Sequence, residues 1–358
     1  MIDKIIYFYV AYPYYFPHFL PIGSLFEKEG AHVSYILSEK QNSKNMEDIA
    51  KENNVNYKFG VEHLFLDSID VAFFANPFER INEVDALTLF LEHGIGTKST
   101  SFFSAIEKFD IYLVEGKQKY NRLKELYPQY INKVEMVGFS KFDLIVQFSL
   151  EEKKAYFDKY GLDIDKKTIL YAPTFFPSSI EKMADDFPAE FQEYNIIVKP
   201  HYLTYERKKY KAQVKKLDKW NSYPNCAVMG LDEYNLVPFL AIADVMISDE
   251  SSAMFEFVAL DKPVVSNRYF KLRLSYYLMP WKLTKRIDKS KDFYRQLLDN
   301  AYNYKETIKY TKEALEFPSK LEEQRMKFSK DLCGIIDGKV SKRIYDVVKK
   351  RIKGKYDL

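Results

Sequence analysis

At 358 residues and 47% hydrophobic, the chain is long enough to bury two cores, and a single large barrel is the main rival. A formal net charge of +3 creates no demand for a nucleic-acid partner, and the abundant aromatics (29 Tyr, 28 Phe) are balanced by many lysines, as genome composition alone can produce. Cys226 and Cys333 lie far apart without metal-ligand spacing, which excludes a cysteine metal site and points to reduced thiols in a cytoplasmic protein.

The opening run Met1 to Val10 is too short to span a bilayer and is followed by Ala11-Tyr-Pro rather than a small-residue cleavage site. No export is expected, and any membrane association has to be peripheral. Lys4 to Val10 predicts a first strand, and Ala11 to Phe19 an aromatic loop whose two prolines keep a helix from starting early. Leu20 to Glu29 predicts a helix ending at Gly30, and Val33 to Leu37 the second strand. This β-α-β start lacks the glycine fingerprint of dinucleotide binding, because Gly23 and Gly30 are wrongly spaced.

Asn45 to Glu52 reads as helix, and Val71 to Ala75 and Leu87 to Leu91 as buried strands. The latter delivers Glu92-His93-Gly94-Ile95-Gly96-Thr97-Lys98-Ser99 at its carboxyl end, where open parallel sheets bind ligands, and the glycines let the backbone turn beside the imidazole. A histidine there can equally be an edge residue satisfied by a hydrogen bond. Asp110 to Val114 is a further strand and Lys117 to Leu126 its helix, stopped by Pro128. Gly138 suits a tight turn, and Glu151 to Tyr160 is a charged helix. Asp163 to Lys167, short and polar, is the expected junction between domains 1–162 and 163–340.

The second half restarts the alternation. Thr168 to Ala172 is a strand ending in Pro173-Thr174, and Asn195 to Lys199 another ending in Pro200-His201. Tyr205 to Leu217 predicts one basic helix with a solvated lysine face, Ala227 to Met229 a short strand, and Leu236 to Ala243 a helix with Pro238 in its first turn. Ala243 to Ile247 then reads as a buried strand that stops in Ser248-Asp249-Glu250-Ser251-Ser252, a cluster too polar for a core. Ala253, Phe257 and Leu260 follow at helical spacing, Lys262-Pro263 ends that helix, and Val264-Val265 starts the next strand. Serine and aspartate are common helix caps, so this turn alone is as well read structurally; with company elsewhere, hydroxyls at a helix start suit phosphate. Lys289 to Asn300 and Tyr302 to Leu315 read as helices. The tail, 341–358, has Ile344, Val347, Val348 and Ile352 at helical spacing against a basic face, which predicts packing on the chain itself, with adhesion to anionic membrane as the alternative.

Two β/α halves with polar residues at strand ends imply facing domains with a cleft between them. From one side come His93 and Gly94, and from the other Thr174, Lys199, His201, Ser248, Ser251 and Ser252. Carboxylates with metal-site spacing are absent from the pattern, so the expectation is no metal, no cofactor, and a diphosphate neutralised by protein groups.

His93-Gly94, Val137-Gly-Phe-Ser-Lys-Phe-Asp-Leu144, Ile169-Leu-Tyr-Ala-Pro-Thr174, Ile197-Val-Lys-Pro-His201 and Ile247-Ser-Asp-Glu-Ser-Ser-Ala-Met-Phe-Glu256, in this order, resemble the CDP-glycerol glycerophosphotransferases of teichoic acid and capsule synthesis. The resemblance covers roughly Leu87 to Val265. It implies an α/β chain of GT-B architecture, two Rossmann-like domains across a cleft, transferring glycerol phosphate from CDP-glycerol, or a related CDP-activated donor, to a glycan or lipid-linked acceptor with release of CMP. By position, His93 matches the family's base for the acceptor hydroxyl and His201 a second histidine near the donor diphosphate. Ser248, Asp249, Ser251 and Ser252 match the phosphate-binding element, and Glu256 the acidic position used for ribose hydroxyls. The chain departs from the pattern at Glu92 (often Trp), Ile95-Gly96 (Thr-Pro), Tyr202 (Pro), Glu250 (Tyr) and Glu256 (commonly Asp). The rival readings are another GT-B enzyme acting on CDP-ribitol or a UDP-sugar, including an epimerase, and a non-catalytic nucleotide-binding subunit of a polysaccharide assembly. The expected location is the cytoplasm, with the inner face of the cell membrane as a refinement.

Overall fold

The structure is a computed structural model that describes residues 3–39, 43–95, 103–272, 276 and 295–356. The chain forms two compact units, one of Met1–Gln147 with Asp331–Leu358 and the other of Phe148–Lys330.

The first unit is built on seven strands: β1 (Ile5–Val10), β2 (His32–Leu37), β3 (Tyr57–Phe59), β4 (Val71–Phe74), β5 (Leu87–Leu91), β6 (Ile111–Val114) and β7 (Val134–Met136). They lie in the order β3-β2-β1-β4-β5-β6-β7. Every pairing is parallel, so helices must cover both faces, and β1, β4 and β6 are accordingly near-continuous apolar runs. Phe8 on β1 anchors one face, its ring 4.7 Å from Phe73, 5.1 Å from Phe19 and 5.3 Å from Tyr35. The strand order reverses between β1 and β4, the kind of switch point at whose carboxyl ends open α/β sheets commonly bind ligands.

Two sequence expectations change here. The segment after β1 is not a loop: Pro13–Tyr15 is a 3-10 turn and Phe16–Lys28 a helix, with Pro17 in its first turn and Pro21 inside. Proline is favoured at the first helical position because its missing N–H would be unpaired there anyway, so Pro17 starts the helix rather than delaying it. The short edge strand β3 gave no apolar alternation strong enough to predict it.

The tail returns to this unit. Val340–Tyr356 is a helix whose residues Ile344, Tyr345 and Val348 are buried, and the Tyr345 hydroxyl donates to Glu29 at 2.9 Å. The expected apolar stripe thus packs on the chain itself. Both oxygens of buried Asp143 accept from the first N–H groups of this helix, Val340 at 2.9 Å and Ser341 at 2.7 Å. Arg343 donates to the Val137 carbonyl at 2.6 Å, beside Gly138, whose φ of +99° and contact with Val340 leave no room for a side chain.

The second unit holds β8 (Thr168–Ala172), β9 (Asn195–Val198), β10 (Cys226–Val228), β11 (Val245–Ser248), β12 (Val264–Asn267) and β13 (Asp299–Ala301). The order β10-β9-β8-β11-β12-β13 repeats the first unit's scheme, again with parallel pairings, and the reversal falls between β8 and β11. The helix Leu150–Tyr160 opens with a capping box on Ser149 and closes at Gly161 in the left-handed region. Tyr156 and Tyr160 meet Phe239, and Lys159 and Tyr160 both bond Glu233, so this helix joins the second unit. The units therefore divide at 147/148, ahead of the expected 162/163, and 331–340 belongs with the tail in the first unit.

The expected helix Tyr205 to Leu217 is broken into Leu203–Glu206, a 3-10 turn Lys208–Tyr210, and Lys211–Trp220. Arg207 is extended at the break, its guanidinium over the Phe175 ring at 5.4 Å while Tyr210 is buried against the same ring. Nor is the lysine face wholly solvated, since Lys216 bonds the Met183 carbonyl at 2.6 Å. Of the helix expected over Lys289 to Asn300, residues 289–294 lie outside the described ones, and Asp299–Ala301 is edge strand β13, too polar to be read as a strand. Among the described residues no helix is long and apolar enough to cross a membrane.

Asp143→Ala leaves two buried N–H groups at the tail helix without an acceptor. It should lower stability by about 2 kcal/mol; a denaturant midpoint equal to that of the unaltered chain would show that the tail is not held this way.

Candidate functional site

In the first unit the candidate residues sit at neighbouring strand ends. His93 follows β5, and its Nδ1 lies 2.7 Å from the carbonyl oxygen of Ala75, which follows β4. A carbonyl only accepts, so Nδ1 carries the proton, and in the neutral ring Nε2 holds the lone pair. Tyr15 and Tyr14 flank the imidazole, with centroids at 5.0 and 5.5 Å. Gly94 and Ile95 turn the chain away from it and are buried, while Gly96, Thr97, Lys98 and Ser99 lie outside the described residues.

Sequence reasoning missed what holds His93. Fully buried His18, on the helix Phe16–Lys28, approaches the His93 carbonyl with Nε2 at 3.1 Å, so that nitrogen donates, and Nδ1 accepts from the Ser140 hydroxyl at 3.2 Å. The proline-started helix was the signal that could have placed it. Glu92, where the family pattern often has Trp, is buried and satisfied by the Tyr112 hydroxyl at 2.6 Å and the Lys119 ammonium at 2.7 Å, while Glu115 takes the same ammonium at 2.8 Å. Burial alone would discharge Lys119, but Glu115 and Glu92 outweigh it and hold the ammonium above its usual range; burial raises the Glu115 carboxyl. A charged residue is tolerated at position 92 because this network pairs it.

In the second unit three adjacent strands, β9, β8 and β11, end together and bring Lys199 and His201, Thr174, and Ser248 to Ser252 to one edge of the sheet. His201 Nδ1 accepts the backbone N–H of Leu203 at 3.2 Å, so in this ring Nε2 carries the proton, the reverse of His93. Phe175 and Tyr202 pack against it at 4.9 and 4.8 Å. Half-buried Lys199 makes no ion pair among the described residues. Burial pulls its pKa down to about 8, against the pull of Glu233 and Asp232 in the other direction.

The serine-rich element divides in two. Ser248 is still in β11, buried, with its hydroxyl on the Ala172 carbonyl at 2.7 Å, so the strand runs one residue further than its polarity suggested. Asp249 is fully buried as well. It accepts the backbone N–H of Thr174 at 2.7 Å, that of Ser179 at 3.0 Å, and the Ser179 hydroxyl at 3.1 Å. Its pKa rises to about 7 because burial outweighs these bonds. Ser248 and Asp249 therefore tie the β8 and β11 ends together, and Thr174 is positioned through Asp249. Ser251 and Ser252 remain half-buried at the surface of the turn, with the Ser251 hydroxyl 3.3 Å from the Ala253 N–H. Glu250 pairs with Arg268 at 2.6 Å and Arg295 at 3.2 Å, a cluster the sequence did not reveal. Glu256 lies in the helix Ala253–Ala259 and is buried, at 3% exposed.

The coordinates of known proteins align with this chain over nearly its full length. The wall teichoic acid polymerase TagF matches with a TM-score of 0.70 at 16% identity, over 99% of this chain and 90% of that one, and a TagF variant soaked with CDPG with 0.67. An S. aureus MnaA–UDP structure aligns with a TM-score of 0.67 at 14% identity, over 98% of this chain and 97% of that one. At such identities these similarities establish the fold, two Rossmann-like α/β domains of the GT-B class. In sequence, the teichoic acid glycerol-phosphate primase of Bacillus spizizenii is 31% identical over 146 residues, 36% of this chain and 35% of the primase. That of Bacillus subtilis is 26% identical over 174 residues, 47% of this chain and 42% of the primase. The matched region thus spans less than half the length of either curated relative. The family model described as CDP-Glycerol:Poly(glycerophosphate) glycerophosphotransferase matches residues 89–350, a stretch that contains His93, His201 and the serine element, and the chain belongs to that family.

Proposed function

We propose that the chain transfers glycerol phosphate from CDP-glycerol to a hydroxyl of a glycan or polyol-phosphate acceptor, with release of CMP, in the synthesis of a teichoic acid-like or capsular polymer. The observation that carries this reading is the opposite protonation of the two imidazoles. His93, with its lone pair on Nε2, is suited to accept the acceptor hydroxyl's proton as that oxygen attacks the glycerol-bearing phosphorus. His201, with its proton on Nε2, is suited to donate a hydrogen bond to the departing phosphate. Phosphoryl transfer is mainly positioning and charge stabilisation, so Lys199, Ser251 and Ser252 complete the role of holding the diphosphate. Family membership and the similarity to the Bacillus primases support the donor assignment.

Purified protein given CDP-glycerol and candidate acceptors should release CMP, with turnover surviving EDTA if protein groups alone neutralise the diphosphate. His93→Ala should slow it on the order of a hundredfold or more, the usual worth of a general base. Near-wild-type turnover in that variant would remove His93 from the chemistry, and a preference for UDP-sugars over CDP-glycerol in titration would remove the donor.

Lys199 gives the pH dependence its sign. With a pKa of about 8 it is charged below that pH and neutral above it, and a bound diphosphate favours the charged form. The Kd for CDP should stay level between about pH 7 and 8 and then weaken by up to roughly tenfold per unit. Lys199→Met should weaken binding at pH 7 and flatten the profile; an unchanged profile in the variant would show that this ammonium does not meet the ligand.

The location we propose is cytoplasmic, in keeping with a sequence that has only two cysteines, Cys226 and Cys333, far apart in the chain and both buried. With the tail helix's apolar stripe packed inward, exposed Lys349 and Lys350 are what it offers to an anionic membrane surface. Such a contact should sediment the protein with anionic vesicles at low salt and release it at high salt; no pelleting at low salt would rule it out.

A further inference from the structure

We propose that His18 is a positioning residue for His93: its Nε2–H fixes the His93 carbonyl, and the Ser140 hydroxyl fixes the His18 tautomer that can do so. Calling His93 the base rests on the transferase reading; the positioning rests on geometry within the first unit. β5 ends at Leu91, so the ladder of the sheet stops before His93. Gly94 follows, and a residue without a Cβ lets the peptide plane between the two rotate with little steric resistance. Turning that plane changes the backbone torsions of His93, and with them the direction from which its ring approaches the Ala75 carbonyl. A donor on the His93 carbonyl removes this freedom.

A buried histidine with both nitrogens satisfied is ordinarily a packing residue. What sets His18 apart is that its acceptor is the carbonyl of the residue whose own tautomer matters. It is fully buried on the helix Phe16–Lys28, and the Phe139 ring stands edge-on to its imidazole at 5.0 Å and 83°. The Ser140 hydroxyl, 3.2 Å from Nδ1, donates there, and an imidazole whose Nδ1 accepts keeps its proton on Nε2, toward His93. In the other tautomer the Nε2 lone pair would face a carbonyl oxygen at 3.1 Å. Ser140 in turn belongs to the turn that the tail helix clamps. Arg343 donates to the Val137 carbonyl, and Asp143, whose N–H bonds the Ser140 carbonyl at 3.1 Å, accepts from Val340 and Ser341. A chain of bonds thus leads from the tail helix through Ser140 and His18 to the His93 backbone, while Ala75 holds the ring. With backbone and Nδ1 both fixed, the lone pair on His93 Nε2 points in one direction.

The test reads the His93 tautomer by NMR of isotope-labelled imidazole nitrogens in the full chain, whose five histidines can be assigned one by one by substitution. The unaltered protein should show a single neutral form of His93, protonated on Nδ1. His18→Leu should give a mixture of both tautomers and lower kcat for CMP release about thirtyfold, with the KM for CDP-glycerol unchanged. His18→Gln, which keeps an N–H donor within reach of the carbonyl, should restore the single tautomer and most of kcat. Ser140→Ala, a smaller disturbance of the core, should move both readouts the same way, kcat by about fivefold. If His18→Leu does not fold, Ser140→Ala decides by itself. An unchanged His93 tautomer in Ser140→Ala overturns the positioning role, and so does an equal loss of kcat in His18→Leu and His18→Gln, which would mark a packing requirement only. A tautomer that does shift, in a protein that releases no CMP from CDP-glycerol, leaves the role of His18 standing and overturns the transferase reading instead.

Discussion

The hydrogen bond between His93 Nδ1 and the Ala75 carbonyl depends on one constraint of the fold: β4 and β5 are parallel neighbours, so the residues that follow them emerge side by side. Parallel pairing buries both faces of the strands and leaves only their ends to carry polar chemistry. The same constraint in the second unit brings the ends of β9, β8 and β11 to one edge, and with them His201, Thr174 and the serine element. In each unit, backbone geometry at a strand end selects the imidazole tautomer. The proposed division of labour, one ring accepting a proton and the other donating a hydrogen bond, thus follows from where two backbone groups lie.

Buried charge supports both sites, in different ways. Behind His93, Lys119 is shared by Glu92 and Glu115, so the carboxylates and the ammonium compensate one another in a region with little water. Among the described residues of the second unit, Asp249 has no cation beside it and is met by backbone and hydroxyl donors, while Lys199 has no carboxylate in contact. An ammonium kept partly dry gains more from an incoming anion than one already paired, which is why Lys199 is the group proposed to respond most to a bound diphosphate.

Much of this was legible in the residues. The apolar runs gave β1, β5, β8 and β9 nearly to the residue, and the polar residues that interrupt them marked His93, Lys199 and His201 as strand-end groups. The helix after β1 was misread because proline was taken as a breaker where it served as a first-turn residue. Edge strands β3 and β13 escaped because half-exposed edges need no apolar run, and β13 is Asp-Asn-Ala. The basic helix around Arg207 was drawn unbroken because nothing local signals that its guanidinium will lie on Phe175.

By itself the sequence determined the alternation of strand and helix, the two parallel sheets, and the residue types at the strand ends, since these depend on local periodicity and on where polarity interrupts it. Only the tertiary structure decided which of those residues face outward. Ser248, Asp249 and Glu256 are polar like Ser251 and Ser252, yet the first three are buried and the last two only half-buried. Tertiary structure likewise set the tautomers, the partners of Glu92, and the tyrosines beside His93. The physical reason is that a side chain's environment is made by elements distant in the chain, and no local pattern encodes them.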